Sequence, residues 1–140
     1  MMARVLENAV VRLLKTHPFY GQFLLGFRRR EVAGDKALGV TFRNGIPTLC
    51  FNPERLASFE PAQQRSLLEH VIKHVLHLHM LRRKERNSHD WDLACDLAIN
   101  PGIVDLPAQA ALPKRLRLEE GLAAEEYYRL LERPFDTGNQ

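Results

Sequence analysis

A chain of 140 residues is long enough to form one hydrophobic core, and its 45% hydrophobic and 26% charged residues are ordinary for a globular protein. The length therefore predicts a single domain over residues 1–140. No stretch reaches the roughly 18 consecutive apolar residues of a membrane helix. Glu7 and Asn8 interrupt the apolar core that a secretory signal peptide needs. These features predict a cytoplasmic protein without a membrane partner.

Neither the cysteines nor the charge of the chain predicts a functional site. Cys50 and Cys95 are too few and too far apart for a disulfide framework, and each is expected to be a small buried hydrophobe. The net charge of +3 comes from short basic runs at residues 28–30, 82–86 and 114–117. Such runs can bind phosphates, but no aromatic residues interleave the last two as base-stacking platforms. We expect solvated faces and helix ends there, not a nucleic-acid site.

The first half of the chain predicts one helix followed by a small sheet. Apolar residues recur at helical spacing over residues 2–16, and the helix should end before His17-Pro18 because the residue before proline avoids helical geometry. The apolar residues between Phe19 and Phe27 are expected in the core. Residues 38–42 and 48–51 flank Asn44-Gly45, a hairpin signal because both turn residues tolerate positive φ. Residues 25–33 predict a third strand, and Asn52-Pro53 should end the hairpin.

The second half is predicted to be helical. Residues 61–85 form one long helix with Pro61 in its first turn, and Ser88 caps a second helix that ends at Asn100. Residues 103–119 are expected to be an ordered loop, and residues 122–132 a last amphipathic helix. A small antiparallel sheet around Asn44-Gly45, followed by helices, predicts the α+β class.

Histidines are concentrated on the predicted long helix, where four of the six fall within residues 70–79. His70 and His74 are four residues apart, so both rings lie on one helix face and can reach the same metal ion. At about 100° per residue, His77 joins their stripe at the border of the apolar face. His79 lies near the opposite side and points into the apolar face unless the helix breaks before it. This pattern predicts a site for a divalent transition metal.

One straight helix cannot supply a complete site. His70 and His77 are about 10.5 Å apart along the axis, whereas ligand atoms around a tetrahedral zinc are only about 3.3–3.5 Å apart. A third ligand should come from the next helix, where Asp92, Asp96 and Asn100 recur every four residues. Antiparallel packing would bring Asp96 to the metal; the alternative is that both aspartates face water. The alternative for the histidines is a buried polar network or a pH-sensitive interface.

Five motifs follow one another along the chain: His17-Pro18-Phe19-Tyr20, Phe51-Asn52-Pro53, the three histidines His70, His74 and His79, residues 91–100 and residues 120–128. In this order they resemble one known family. The sequence is similar to the zincin-like metallopeptidase domain that often precedes a von Willebrand factor A-like domain in bacterial proteins. The resemblance implies a zincin-like fold and bound zinc, with His70 and His74 as ligands, His79 as the third histidine and Asp96 in the place of the family's aspartate. It also implies an ATPase of the AAA+ class or a von Willebrand A-like protein as partner.

The chain departs from the family pattern at Val71, where the family has glutamate. In zincins that glutamate polarises the metal-bound water and carries its proton to the leaving amine, which valine cannot do. Glu69 lies about 100° to the other side of His70 on a helix and is no substitute. Leu78 stands where the family often has glycine. The resemblance therefore implies a metal, zinc or another divalent ion, without implying proteolysis, and no catalytic residue is predicted.

Three functions remain open from the sequence. The first is a non-catalytic, metallopeptidase-like domain that binds a metal through His70 and His74 and serves as a scaffold or partner-binding module. The second is an active metal-dependent hydrolase with an unusual base, for which Glu85, His77 or Asp92 would be candidates. The third is a protein or nucleic-acid adaptor that uses the basic runs, whose binding would weaken steeply with salt.

Overall fold

The computed structural model describes residues 4–132 and has the α+β architecture that the sequence predicts. Within these residues there are seven α-helices and one three-stranded sheet. The strands are β1 (Arg28–Glu31), β2 (Leu38–Arg43) and β3 (Ile46–Phe51). The helices are α1 (Val5–Thr16), α2 (Pro18–Leu25), α3 (Pro53–Ala57), α4 (Pro61–Leu76), α5 (His79–Arg82), α6 (Ser88–Ile99) and α7 (Ala124–Leu131). No helix in this part of the chain is long and apolar enough to cross a membrane.

The sheet has β3 at its centre, antiparallel to β2 and parallel to β1. Asn44 and Gly45 have φ of 53° and 78°, the left-handed conformation that the tight hairpin requires. The predicted hairpin and third strand are therefore confirmed, although β1 makes the sheet mixed and not wholly antiparallel. Asn52 ends β3 by capping α3, because its side-chain oxygen accepts hydrogen bonds from the next helical turn.

Two hydrophobic clusters lie on either side of the α4–α6 contact. The first joins α1, α2, the sheet and α4, and its most buried members are Leu13, Leu24, Leu49, Leu56, Leu68 and Ile72. The second joins α6 and α7 through Trp91, Cys95, Leu97 and Tyr127. The segment 19–27 is only partly core, because residues 19–25 lie in α2, whose outer face leaves Phe19 67% exposed, whereas Phe27 is buried. The contact between α4 and α6 thus connects two separately packed bodies of side chains.

The predicted continuous helix over residues 61–85 is wrong. The helix α4 ends at Leu76, and Leu78 adopts the left-handed conformation with φ 55° before α5 begins at His79. This conformation costs a non-glycine residue roughly 1–2 kcal/mol. Long-range hydrogen bonds hold the chain in it: the indole of Trp91 donates to the His79 carbonyl at 2.8 Å.

The Arg82 side chain stabilises the same break between α4 and α5 through further hydrogen bonds. Its guanidinium donates to the His77 carbonyl at 2.9 Å and to the Glu125 carboxylate on α7, also at 2.9 Å. The hydrogen bond to Arg82 lowers the pKa of Glu125 to about 2, so this pair is ionised at neutral pH. The carbonyl of His77, the residue that follows α4, is therefore held by Arg82, which a residue distant in sequence positions from α7.

The remaining boundaries differ slightly from the sequence-based expectation. Asn87, not Ser88, caps α6, because its side-chain oxygen accepts the Asp90 amide hydrogen at 3.0 Å. The loop over residues 103–119 contains a short 3₁₀ turn at Pro113–Leu116, and α7 begins two residues later than predicted. The first two residues of the predicted helix over residues 2–16 lie outside the described residues.

Candidate metal centre

Three potential ligand atoms meet where α4 packs against α6. His70 Nε2 lies 3.0 Å from His74 Nε2, and Asp96 Oδ1 lies 3.2 Å from the first and 3.0 Å from the second. Ligand atoms bound to one tetrahedral zinc are separated by about 3.3–3.5 Å. The two histidines and the aspartate therefore have the spacing of ligands to a single ion, as their helical positions suggested.

Asn100 orients the His70 ring, a role that was not predicted from the sequence. The buried Asn100 amide nitrogen donates to the Ala111 carbonyl at 2.8 Å, so its oxygen faces His70 Nδ1, also at 2.8 Å. That oxygen can only accept, so His70 carries its proton on Nδ1 and presents the Nε2 lone pair to the cluster. The four-residue spacing of Asp96 and Asn100 was a usable signal, because it places both on one face of α6.

Removing this hydrogen bond should weaken metal binding without removing a ligand. Asn100→Ala is expected to weaken metal affinity by about 10- to 100-fold, the usual effect of losing a group that orients a metal-bound histidine. Asn100→Asp keeps an acceptor for His70 and should lose less metal affinity than Asn100→Ala. Competition with a chromophoric chelator measures both affinities. Equal affinities in Asn100→Ala and the wild type would contradict the orienting role.

The Asp96 carboxylate is ionised at neutral pH. Burial by itself raises its pKa, but the neighbouring imidazoles of His70 and His74 outweigh that effect, and the net pKa lies below the ordinary value of 3.8. A carboxylate that stays charged among two imidazoles can balance the charge of a divalent cation. Asp96 therefore contacts both histidines and does not simply face water, which was the alternative.

The break at Leu78 places His79 beside His74. The side chain of His79 is buried, and its Nδ1 lies 3.0 Å from His74 Nδ1, on the opposite edge of that ring from Asp96. The expectation that His79 turns away from the other histidines assumed an unbroken helix and fails with it. His77 follows the end of α4 and stacks on the His79 ring at 5.5 Å, without joining a ligand group among the described residues.

Cys95 belongs to a second group of potential ligands. A ring nitrogen from each of His74 and His79 and the Cys95 sulfur all lie within 4.8 Å of one another. Cys95 is buried, as predicted for a small hydrophobe, but it also faces two imidazoles. Burial raises the pKa of its thiol well above the ordinary value of 9.0. In contrast, Cys50 is only half-buried and lies on β3.

The metal-free protein should lose stability as the pH falls, because His79 resists protonation in the fold. Burial, with the nearby charge of His74 next in size, lowers its pKa from 6.5 to about 3. Between these values the unfolded chain takes up a proton that the folded chain does not. The free energy of unfolding should therefore fall on acidification by up to about 1.4 kcal/mol per pH unit.

Urea unfolding with chelator present, at pH 7 and pH 5, measures this loss. In His79→Gln, residue 79 no longer titrates, so the difference between the two pH values should be smaller. The pH dependence of stability that remains in His79→Gln comes from other groups such as His77, whose pKa is also lowered by burial. The same pH difference in both proteins would show that His79 is not responsible.

A cavity of about 860 Å³ opens onto the candidate ligands. Val71, the residue directly after His70, lines this cavity. Glu69 does not point there, because it is buried in ion pairs with Arg65 at 3.1 Å and Lys73 at 3.6 Å. Of the three alternative bases, Asp92 lines the cavity, whereas Glu85 and His77 do not.

Comparison with known proteins agrees with these features. The family described as "Putative metallopeptidase domain" matches residues 2–139. An uncharacterized protein of Thermotoga maritima is 31% identical over 119 residues, which are 83% of this chain and 30% of that protein. The chain thus spans less than a third of this relative. No solved structure matches the chain. On the extent of the family match, the chain belongs to the family of putative metallopeptidase domains.

Proposed function

We propose that this domain binds one divalent transition metal, zinc or an ion of similar preference, through His70, His74 and Asp96. The observation that carries the proposal is the mutual spacing of 3.0–3.2 Å among their three ligand atoms. Two imidazoles and one carboxylate are a ligand set used by zinc enzymes, with the fourth position open to water or substrate. A bound ion would supply Lewis acidity at the cavity.

We further propose that the domain does not act as a standard peptidase. Val71 places two methyl groups on the cavity wall and has no atom that can accept a proton. The nearest acidic residue on the same helix, Glu69, is held by Arg65 and Lys73 on another face. The metal would then serve to join α4 and α6 in a scaffold or partner-binding module.

The proposed partners are an ATPase of the AAA+ class or a von Willebrand A-like protein. The support is the family resemblance, together with the length of the Thermotoga maritima relative, of which this chain matches 30%. A module that accounts for a minority of its relative's length is suited to work beside other domains. Co-purification with such a protein, lost on removal of the metal, is the result that this proposal expects.

A second candidate is a metal-dependent hydrolase that uses Asp92 as its base, because Asp92 lines the same cavity and precedes Asp96 by one helical turn. If the domain has this function, it should turn over an amide or peptide substrate, and both chelator and the variant Asp92→Asn should abolish this turnover. The adaptor function gains no such support. Within the run over residues 82–86, Arg82 pairs with Glu125 and Arg86 lies over the Trp91 ring at 5.2 Å.

Elemental analysis of protein purified without added metal tests the binding proposal. We expect about one equivalent at this site in the wild type, which is lost in His70→Ala/His74→Ala. His77→Ala is the matched control, because it removes a histidine of the same segment that is in neither ligand group. Unchanged metal content in the double variant, or equal loss in His77→Ala, would refute the assignment.

A further inference from the structure

We propose that His74, His79 and Cys95 form a second metal site, adjacent to the first, for a thiophilic divalent ion such as zinc or cadmium. One ligand atom of each residue lies within 4.8 Å of the other two. The proposal rests on the proposed function only through His74, which the two sites share. Its other two ligands, His79 and Cys95, take no part in the His70, His74 and Asp96 site.

The two nitrogens of the His74 ring have different neighbours. Its Nε2 lies 3.0 Å from both His70 Nε2 and Asp96 Oδ1, whereas its Nδ1 lies 3.0 Å from His79 Nδ1. An imidazole that gives up its remaining proton can bind one ion at each nitrogen. Filling the second site would therefore release two protons to solvent, one from His74 Nδ1 and one from the Cys95 thiol.

The backbone supports a role for His79 beyond filling the core. Leu78 must adopt a left-handed conformation to bring His79 to this place, which is unfavourable for a residue with a branched side chain. Trp91 then fixes the His79 carbonyl through its indole hydrogen bond at 2.8 Å. Backbone strain of this kind is often retained where the placement of a side chain matters.

The ligand types of the second site favour a thiophilic ion, and the cavity gives such an ion access to the site. Thiolate and imidazole together select zinc and softer ions over magnesium or calcium, which prefer oxygen ligands. Although His79 and Cys95 are 3% and 1% exposed, both contribute to the wall of the cavity that reaches His70 and Asp96. An ion can thus enter from the same opening as the first.

Titration of the metal-free full chain with cobalt(II) and with cadmium(II) tests the site. We expect two equivalents per chain and a thiolate-to-metal charge-transfer absorption. Cys95→Ser should lose that absorption and one equivalent, while Cys50→Ser, the matched control at the other cysteine, should keep both. His79→Gln provides an independent variant, also expected to lose the absorption. Circular dichroism checks that each variant is folded.

Asp96→Asn separates this proposal from the proposed function. It should remove the first equivalent and leave the charge-transfer absorption, because Asp96 contributes only to the first site. One equivalent without thiolate absorption in the wild type would overturn the second site while leaving the first intact. One equivalent with thiolate absorption, insensitive to Asp96→Asn, would support the second site and count against the first. Absorption that disappears in Cys50→Ser would assign the thiolate elsewhere and refute the proposal.

Discussion

Val71→Glu is expected to confer metal-dependent peptide hydrolysis at a rate about 10²- to 10⁴-fold above that of Val71→Gln, the usual contribution of a positioned general base. Val71 lies one residue after His70 on the cavity wall, so a longer side chain there can reach water bound near the candidate ligands. The glutamate would accept a proton from that water and pass it to the leaving amine. Turnover of a mixed set of fluorogenic peptides, with and without chelator, measures the gain.

Val71→Gln is the matched control, because glutamine has the size and polarity of glutamate without its basicity. Val71 is only 5% exposed, so both variants should lose some stability, and both need equal metal content before their rates are compared. Equal, negligible turnover in the two metal-loaded proteins would contradict the inference that the missing base is what prevents hydrolysis. It would point instead to a cavity that cannot position a peptide.

Removing the metal should lower the melting temperature by on the order of 10 °C. An ion held by His70, His74 and Asp96 bonds α4 to α6, and thereby the first hydrophobic cluster to the second. A ligand present at about 1,000 times its dissociation constant stabilises the fold by about 4 kcal/mol. For a domain of this size each kcal/mol corresponds to roughly 2–8 °C. Calorimetry of the metal-loaded and chelator-treated protein gives the difference.

The variant His70→Ala/His74→Ala is the control for this effect. It should melt at one temperature with or without chelator, since it cannot hold the ion at this site. His77→Ala should retain the full chelator-dependent shift. If the double variant responded to chelator as strongly as the wild type, the stabilising ion would have to bind elsewhere in the chain.

The features that depend on short stretches of sequence were predictable. The hairpin follows from Asn44-Gly45, because a two-residue turn restricts both positions to positive φ whatever the rest of the protein does. The closeness of His70 and His74 follows from helical spacing alone. The four-residue spacing on the next helix marked Asp92, Asp96 and Asn100 as one polar face, and the structure brings Asp96 to both histidines at 3.0–3.2 Å.

Only the tertiary structure decided where the histidine helix ends and what His79 faces. The carbonyl of His77, just past the end of the helix, is held by Arg82, which Glu125 positions from 43 residues away, and the carbonyl of His79 is held by Trp91. Helical periodicity cannot anticipate such partners, because each local segment alone would continue the helix. The His70–Asn100 hydrogen bond likewise depends on the Ala111 carbonyl in a loop. The sequence by itself thus determined that His70 and His74 lie side by side, whereas the packing of α6 against α4 brought Asp96 and Cys95 to them and long-range hydrogen bonds placed His79.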